Sequence, residues 1–402
     1  METKEQIVDK ILSRGIIKQI LPSEEEFKKL LLGKKQLTFY IGADTTGNSL
    51  HLSHAKNFML LEEFRKLGHK VYVLFGDLTA CIGDPSDNLS ARAKLTREQA
   101  RENALSWVEQ IKQIINIEDK QNPAQVVFNS KWFDKLSVTD LLELFSSATV
   151  QQMIERDMFQ KRIAENRPIF LNEFLYPMFQ GYDSVVLKTD AELCGTDQIF
   201  NALLGRDLVK KYLNKEKFVV AVNLMENPKT GELMSKSKGT GVFLGTDAKT
   251  MFGQIMAQPD EMIEVFLINN TRMPLEDIKK LDITNNPRDA KLVTAYEITK
   301  IFYGEKEADE VKDNFIKTFS DKAFPENAPV IKVSGSEIGL IDLIVLCKPA
   351  ESKSFIRRLI KQNAVSINFE KCDNEEQIIK LNKGEELKVK IGKKDFFNIV
   401  SK

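Results

Sequence analysis

The sequence is short of the residues on which several kinds of protein depend. Its four cysteines, at positions 81, 194, 347 and 372, form neither a Cys-x-x-Cys pair nor a disulfide framework, which fits a reducing compartment. Histidines number only three. Two of them, His51 and His54, lie close together, but no cysteine and no third ligand accompanies them, which argues against zinc and leaves no metal site to name. No apolar run approaches the ~18 residues of a membrane span. The opening Met1-Glu2-Thr3-Lys4-Glu5-Gln6 lacks the apolar core of a signal peptide. Together these absences predict a soluble, cytoplasmic chain with no membrane partner. An excess of one charge is missing too. With 58 Lys+Arg against 58 Asp+Glu, only the distribution of charge could mark a polyanionic partner. What is present is length, for 402 residues allow two or three domains with their own cores.

One stretch organises the rest: Phe39-Tyr40-Ile41-Gly42-Ala43-Asp44-Thr45-Thr46-Gly47-Asn48-Ser49-Leu50-His51-Leu52-Ser53-His54. It begins as a short apolar strand (Leu37 to Ile41) and crosses a loop of small polar residues. It then opens a helix with Phe58, Leu60, Leu61 and Phe64 on its apolar positions, ending near Gly68. A strand feeding a helix N-terminus across such a loop suits phosphate, because free backbone N–H groups point outward there. At i and i+3, His51 and His54 share one helix face. Spacing alone leaves them open as surface residues or as a functional pair. A second stretch, Leu233-Met234-Ser235-Lys236-Ser237-Lys238-Gly239-Thr240-Gly241, reads as a lysine-bearing loop of small residues.

The segments between follow an α/β rhythm. Residues 1 to about 34 read as helical, with Ser23 and Glu26 as a capping box. Lys70 to Gly76 is a strand about 30 residues after the first, the spacing of a βαβ unit. Asp84-Pro85-Ser86, in the loop beyond it, reads as a turn. Arg92, Lys94, Arg97 and Arg101 read as a solvated face on the way into a helix from Thr96 to Ile115. Gln125 to Phe128 is a third strand, and an apolar helical insertion runs from Trp132 to about Ala164. In a helix from Glu173, the residues Tyr176, Gln180 and Asp183 fall at i, i+4 and i+7, as a polar core cluster or a ligand wall. Val185 to Lys188 reads as a strand and Glu192 to Gln198 as the opening of a helix. Gly195 with Asp197 suits a sugar's vicinal hydroxyls. Phe218 to Val222 is the last strand before the lysine loop. Residues 247 to 318 read as helical, Phe324 to Pro329 as a linker. The tail is modestly basic, 14 Lys+Arg against 10 Asp+Glu from Ile331 onward. There Lys353, Arg357, Arg358 and Lys361 cluster on one helix, as a plain surface or as a grip on a phosphate backbone.

The first stretch resembles the HIGH element of class I aminoacyl-tRNA synthetases, and the second resembles their KMSKS loop, in the expected order. The Tyr-x-x-x-Gln-x-x-Asp pattern at 176 to 183 resembles the tyrosyl branch in particular. The layout from Ser352 to Asn368 resembles a small RNA-binding domain carried by bacterial tyrosyl enzymes. The resemblance, which covers the chain from Tyr40 to the tail, implies a bacterial tyrosyl-tRNA synthetase family member. The implied fold is α/β: a Rossmann-like parallel-sheet catalytic domain over 1–245 with a helical insertion at about 130–165, an α-helical domain over 246–323, a linker over 324–335, and a small α+β RNA-binding domain over 336–402.

Residue by residue, the resemblance implies that Tyr40 and Asp183 meet a phenolic hydroxyl. Asp84, Tyr176 and Gln180 would hold the α-ammonium of tyrosine, Asp44 would belong to the tyrosine site as well, and Gln198 would lie near the carboxylate. Thr46 and His51 would contact the phosphates of ATP, His54 the adenine side, and Gly195 and Asp197 the ribose. Lys236, supported by Lys238, would stabilise the departing pyrophosphate. ATP is then a substrate, Mg2+ its companion, tRNA the acceptor, and no tightly bound cofactor is implied. The insertion implies a homodimer. Departures from the family pattern are Ser53 for glycine, Thr45 for proline, Leu233 for lysine, and Asp87-Asn88 for glycine and lysine. The lost cations leave two rivals: a synthetase-like paralogue serving a tyrosine analogue or another acceptor, and an RNA-binding protein that has lost catalysis.

Overall fold

Strand β2 (Thr38–Ala43) carries the start of the signature stretch, and Phe39, Tyr40 and Ile41 are buried on both of its faces. Such two-sided burial is what a parallel sheet covered by helices requires. The other strands are β1 (Ile17–Leu21), β3 (Lys70–Phe75), β4 (Gln125–Phe128), β5 (Ala191–Gly195) and β6 (Phe218–Val222), in the order β1-β6-β5-β2-β3-β4. Every pairing is parallel except that of β1 with β6. The computed structural model describes residues 2–84, 95–234, 241–319, 325, 328–362, 364–368, 370–381, 386–392 and 395–401, and it divides into two compact units, 1–309 and 310–402.

The loop after β2 is held by what brackets it. Helix α1 (Leu52–Lys66) returns along the sheet, and its Phe64 stacks on Phe39 with ring centroids 4.5 Å apart and planes at 8°. Phe27 meets both rings edge-on, at 6.1 and 6.2 Å. Stacked and edge-to-face pairs add to the area that these rings bury, so strand and helix are locked together below the loop. Register then sets the chemistry: Tyr40 lies opposite Glu192 of β5 on one side and opposite Tyr72 of β3 on the other. Between β2 and β5 the strand order reverses, and the crevice beyond the carboxyl ends of such strands is where open α/β sheets take ligands.

Helix α2 (Arg97–Ile111) starts from a capping box made by Thr96 and Gln99. The insertion is helical as expected and includes α3 (Val150–Ile154) and α4 (Asp157–Ala164). Helices α5 (Leu171–Val186) and α6 (Ile199–Leu213) follow, joined through Met178, Val185, Leu208 and Val209. Five helices occupy the stretch from Ala248 to Phe319. One of them, Ile263–Asn270, ends on Arg14, whose guanidinium donates to the carbonyls of Leu267, Ile268, Thr271 and Met273 at 2.6–3.2 Å. A cation on the free carbonyls of a helix end is favourable.

Three local expectations are corrected. Ile17–Leu21 is a strand rather than part of a helical N-terminus, because β6 offers it an unpaired edge. Val185 and Val186 complete α5 instead of forming a strand, since packing on α6 outweighs the β-propensity of valine. The next segment, Ala191–Gly195, is the strand; it inserts between β2 and β6, and the helix opens only after Gln198.

In the second unit five strands run in the order Glu370–Lys371, Val365–Ile367, Glu386–Ile391, Asp395–Ser401 and Val330–Val333. Helix Leu340–Cys347 and helix α7 (Lys353–Lys361) bury Leu340, Leu343, Ile344, Ile356 and Ile360 against Val389 and Ile399.

Candidate active site

The N-terminus of α1 meets the chain immediately beyond the second signature segment. Leu52 N donates to Val242 O and Leu244 N to Leu50 O, both at 3.0 Å, and His51 pairs with Phe243 as an isolated bridge. The chain just after the lysine loop is thus fastened to the histidine stretch. Lys236 and Lys238 lie outside the described residues, as do Arg92, Lys94, Pro85, Asp87 and Asn88. His51 caps α1, and its backbone N–H donates to His54 Nδ1 at 3.3 Å, with the rings 4.0 Å apart. Burial lowers the pKa of His51 to about 4, and burial plus the neighbouring His51 holds His54 well below the ordinary value. Both imidazoles are therefore neutral at pH 7 and offer dipoles rather than charges. Thr46 is exposed at the loop. Thr45 is fully buried where its hydroxyl donates to Ala100 O at 2.7 Å and its carbonyl accepts from Asn103 at 2.8 Å. A side-chain tether to α2 does here the stiffening that proline does by its ring.

On the other side of β2, a set of acids faces one crevice. Asp44 accepts from Thr79 Oγ1 at 2.7 Å and from the Tyr176 hydroxyl at 3.0 Å. Gly76 makes this possible, since a Cβ there would stand 2.3 Å from Asp44 Oδ1. Burial, then the fields of Asp44, Asp84 and Asp183, push the Tyr176 phenol well above its usual range. Deeper in, Asp183 is 3 % exposed. It accepts from Trp132 Nε1 at 2.9 Å and from Asn129 Nδ2 at 3.4 Å. Asn129 also donates to Thr79 Oγ1 at 3.1 Å, which links the two acids. Burial raises the Asp183 carboxyl, against the pull of those two donors. The Tyr40 hydroxyl lies 2.8 Å from Ser184 Oγ, and burial, Glu192 and Asp183 raise its pKa.

A continuous polar chain supports this wall. Lys217, fully buried, donates to Glu192, to Ser184 Oγ at 2.8 Å and to Ala202 O at 3.1 Å. Gln180 Nε2 donates to Glu192 Oε1 at 2.9 Å, and Asn201 donates to both Gln180 Oε1 (2.9 Å) and Gln198 Oε1 (2.8 Å). Gln198 Nε2 in turn reaches Asp84 Oδ2 at 2.7 Å and Asp197 Oδ2 at 3.0 Å. The structure thus brings together Tyr40, Asp44, Asp84, Tyr176, Gln180, Asp183, Gly195, Asp197 and Gln198. Gly205 leaves room for the lysine, for a Cβ there would stand 2.7 Å from Lys217 Nζ.

Several members of this wall have no role in the sequence reading: Glu192, Lys217, Ser184, Asn129, Trp132, Asn201 and Thr79. Only a lysine opening a wholly apolar strand, and a tryptophan in a chain with two, carried any signal. Arg101 is also more than a solvated residue. Though its side chain is 59 % exposed, it donates to the buried Asp77 at 3.1 Å and to Ser130 Oγ at 3.2 Å. Lys56, in the second turn of α1, is buried and donates to Asn57 Oδ1 at 3.0 Å and to Asn223 O at 2.5 Å. Burial brings its pKa down to about 7, with Asp197 pulling it up. In the second unit, Lys353 pairs with Asp342 (2.8 Å), Arg357 with Glu375 (3.6 Å), and Arg358 lies over the Phe355 ring. Lys361 is exposed on the same helix.

Against known proteins, the tRNA synthetases class I (W and Y) family matches residues 33–320, and the Tyrosine--tRNA ligase SYY-like C-terminal domain matches residues 320–399. The tyrosine--tRNA ligase of Aquifex aeolicus is 39% identical over 401 residues, spanning 100% of both chains. That of Thermotoga maritima is 38% identical, spanning 99% of this chain and 98% of its own. Among solved structures, a C-terminally truncated mitochondrial tyrosyl-tRNA synthetase from Aspergillus nidulans superposes with a TM-score of 0.66 at 22% identity. It covers 78% of this chain and 94% of its own, a likeness of fold.

Two expectations follow from the geometry. Histidines 51 and 69 both have pKa values near 4, against 6.5 for a free imidazole. Between those values the unfolded chain binds protons that the folded chain refuses. Their contribution to stability is therefore complete above pH 6.5 and is lost as pH falls toward 4. In NMR titrations of the imidazoles, none of the three should change protonation near pH 6.5; a His51 midpoint there would contradict the assignment. Separately, Lys217→Met leaves Glu192 buried without its cation and should cost roughly 3–5 kcal/mol. Adding Glu192→Gln should recover most of that in urea unfolding followed by Trp107 and Trp132 fluorescence, whereas equal losses in both variants would show the pair to be uncoupled.

Proposed function

The chain belongs to the class I tRNA synthetases of the tryptophan and tyrosine group, and we propose that the two halves of its crevice divide the work of tyrosine activation. Tyrosine and ATP form tyrosyl-adenylate, and the tyrosyl group then passes to the terminal ribose of tRNA. The observation that carries the reading is the polarity of the wall. Two aspartates and a tyrosine hydroxyl gather at one end, where an α-ammonium is favoured, and a buried carboxylate with two fixed donors stands at the other. In this reading Asp44, Asp84, Tyr176 and Gln180 hold the ammonium. Tyr40 and Asp183 receive the phenolic hydroxyl, and Gln198 lies beside the carboxylate. Phenylalanine would leave Asp183 and Tyr40 without that partner, and tyrosyl enzymes are the standard case of rejection by unpaired polar groups.

In the first step the tyrosine carboxylate attacks the α-phosphorus of ATP. The new C–O–P anhydride forms as the bond to the β-phosphate breaks, and pyrophosphate leaves with the electron pair. In the second, a ribose hydroxyl of tRNA attacks the carbonyl carbon and AMP departs. Neither step needs a covalent enzyme intermediate; position and fixed donors supply the catalysis. Neutral His51 and Thr46 are assigned to the phosphates, His54 to the adenine side, and Gly195 and Asp197 to the ribose. Lys236 and Lys238 are assigned to the leaving pyrophosphate, where a cation that tightens as charge develops favours the transition state. Mg2+ would arrive with the nucleotide, held mainly by its phosphates. Among the described residues no group of three or more His, Cys, Asp or Glu is placed to hold a metal.

The tail helix α7, with Lys353, Arg357, Arg358 and Lys361, is assigned to the tRNA backbone. A homodimer is proposed through the insertion and the start of α5. There Val138 (74 % exposed), Leu142 (65 %), Phe170 (64 %) and Leu171 (81 %) stand in solvent, and large exposed apolar side chains suit a protein partner. No helix among the described residues is long and apolar enough to cross a membrane, and the cytoplasm, where tRNA is charged, is the proposed compartment.

Tyrosine-dependent ATP–pyrophosphate exchange, followed by charging of bulk tRNA, tests the assignment; exchange without charging would favour another acceptor. Asp183→Ala should collapse the preference for tyrosine over phenylalanine by roughly 100-fold or more in kcat/KM, and an unchanged preference would refute its role. Arg357→Glu with Lys361→Glu should raise the KM for tRNA and leave exchange alone. For the dimer, sedimentation should give twice 45.8 kDa for the native chain and a single chain mass for Leu142→Glu with Leu171→Glu; a native monomer would refute the interface.

A further inference from the structure

Arg156 sits at the corner between α3 and α4 and has no place in the assignments above. It is 8 % exposed, and its Nη1 is buried without a hydrogen-bond partner among the described residues. Leaving a buried guanidinium donor unpaired is costly, so Nη1 has a hydrogen bond still to give to an acceptor. Two neighbours say where that acceptor would stand. The guanidinium carbon lies 4.9 Å from the centre of the Phe200 ring and 5.7 Å from that of Phe159. These rings form a planar rest that orients the fork and keeps water from it. Phe200 is two residues beyond Gln198, at the start of α6. Asp84 and Tyr176 are near enough for their fields to act on the Arg156 charge. The cation therefore stands against the helix that carries the proposed carboxylate neighbour and within the field of the proposed ammonium end.

We propose that Arg156 is a substrate-binding residue that takes the α-carboxylate of the amino acid and stays with its oxygen as the mixed anhydride forms. The inference rests on the reading of the crevice as a tyrosine-activating site. An α-amino acid presents its carboxylate one carbon from its ammonium, so a cation within the field of the acids matches the zwitterion in both charges. A guanidinium also suits this task better than an ammonium, because its planar donors fix the carboxylate's rotation before attack. The residue supplies a cation at the reacting end of tyrosine, in a chain with Leu233 where the family pattern has its first loop lysine.

The test uses the full chain with Arg156→Gln and Arg156→Lys, and two ligands, tyrosine and tyrosinol, the amino alcohol without a carboxylate. The native chain first establishes tyrosine-dependent exchange; if it has none, the activation reading itself fails, whatever Arg156 does. Given exchange, Arg156→Gln should weaken tyrosine by roughly 10- to 100-fold and leave inhibition by tyrosinol unchanged. Arg156→Lys should lie between. Equal weakening of both ligands would mean that Arg156 only supports the fold. Normal exchange with impaired tRNA charging would mean that its anion is a phosphate of the acceptor end. Either result overturns the proposal.

Discussion

A lysine and a glutamate sealed between β5 and β6 carry the site. Lys217 gives its protons to Glu192, Ser184 and the carbonyl of Ala202, and no other cation reaches Glu192 among the described residues. Glu192 in turn decides which way the amide of Gln180 faces, and Ser184 decides where the hydroxyl of Tyr40 rests. Buried pairs of this kind contribute little net stability compared with apolar residues, yet losing one partner is severe. Here the return is direction. The amide of Gln180 presents its oxygen to Asn201, and through Asn201 the orientation passes to Gln198 and on to Asp84 and Asp197. One buried ion pair thereby stands at the head of a hydrogen-bond chain that runs from Gln180 to Asp84 and Asp197.

That arrangement fits a reaction whose transition state is electrostatic. The two histidines at the start of α1 are kept neutral by burial. What the fold supplies is a set of donors and acceptors that cannot reorient when charge moves, which is where such sites gain most over water. The departures from the family pattern sit mainly on the nucleotide side. Of these, Thr45 is compensated within the structure by its bonds to α2. Leu233 is 46 % exposed and Ser53 half-buried, and neither makes a contact that replaces what the family has there.

The family, the parallel sheet and the residues of the crevice were legible because they depend on local pattern: an apolar strand, a small-residue loop, a polar stripe at helical spacing. The supporting chain was not. Glu192, Lys217 and Asn201 are brought together by strand order and by the close approach of α5 and α6 at Gly181 and Gly205, whose Cα atoms leave no space for a side chain between them. No periodicity announces a contact of that range. The errors in secondary structure share this cause. Val185 and Val186 look like a strand until the helix they lie against is in place, and Ala191–Gly195 looks like a helix start until its neighbours on both sides claim its backbone.

The antiparallel strand at the sheet's margin has a consequence for how the molecule comes into being. β1 borders β6 alone, and β6 is the last strand of that sheet to be synthesised. Until about half of the chain has been made, therefore, Ile17–Leu21 has no ladder to join, while β2, β3 and β4 can already pair. Edges of that kind invite association with other nascent chains. The contact between Leu50–Leu52 and Val242–Leu244 forms later still. The sheet is thus completed from its margin only when β6 arrives, and the loop after β2 gains its last backbone partners only with Val242–Leu244.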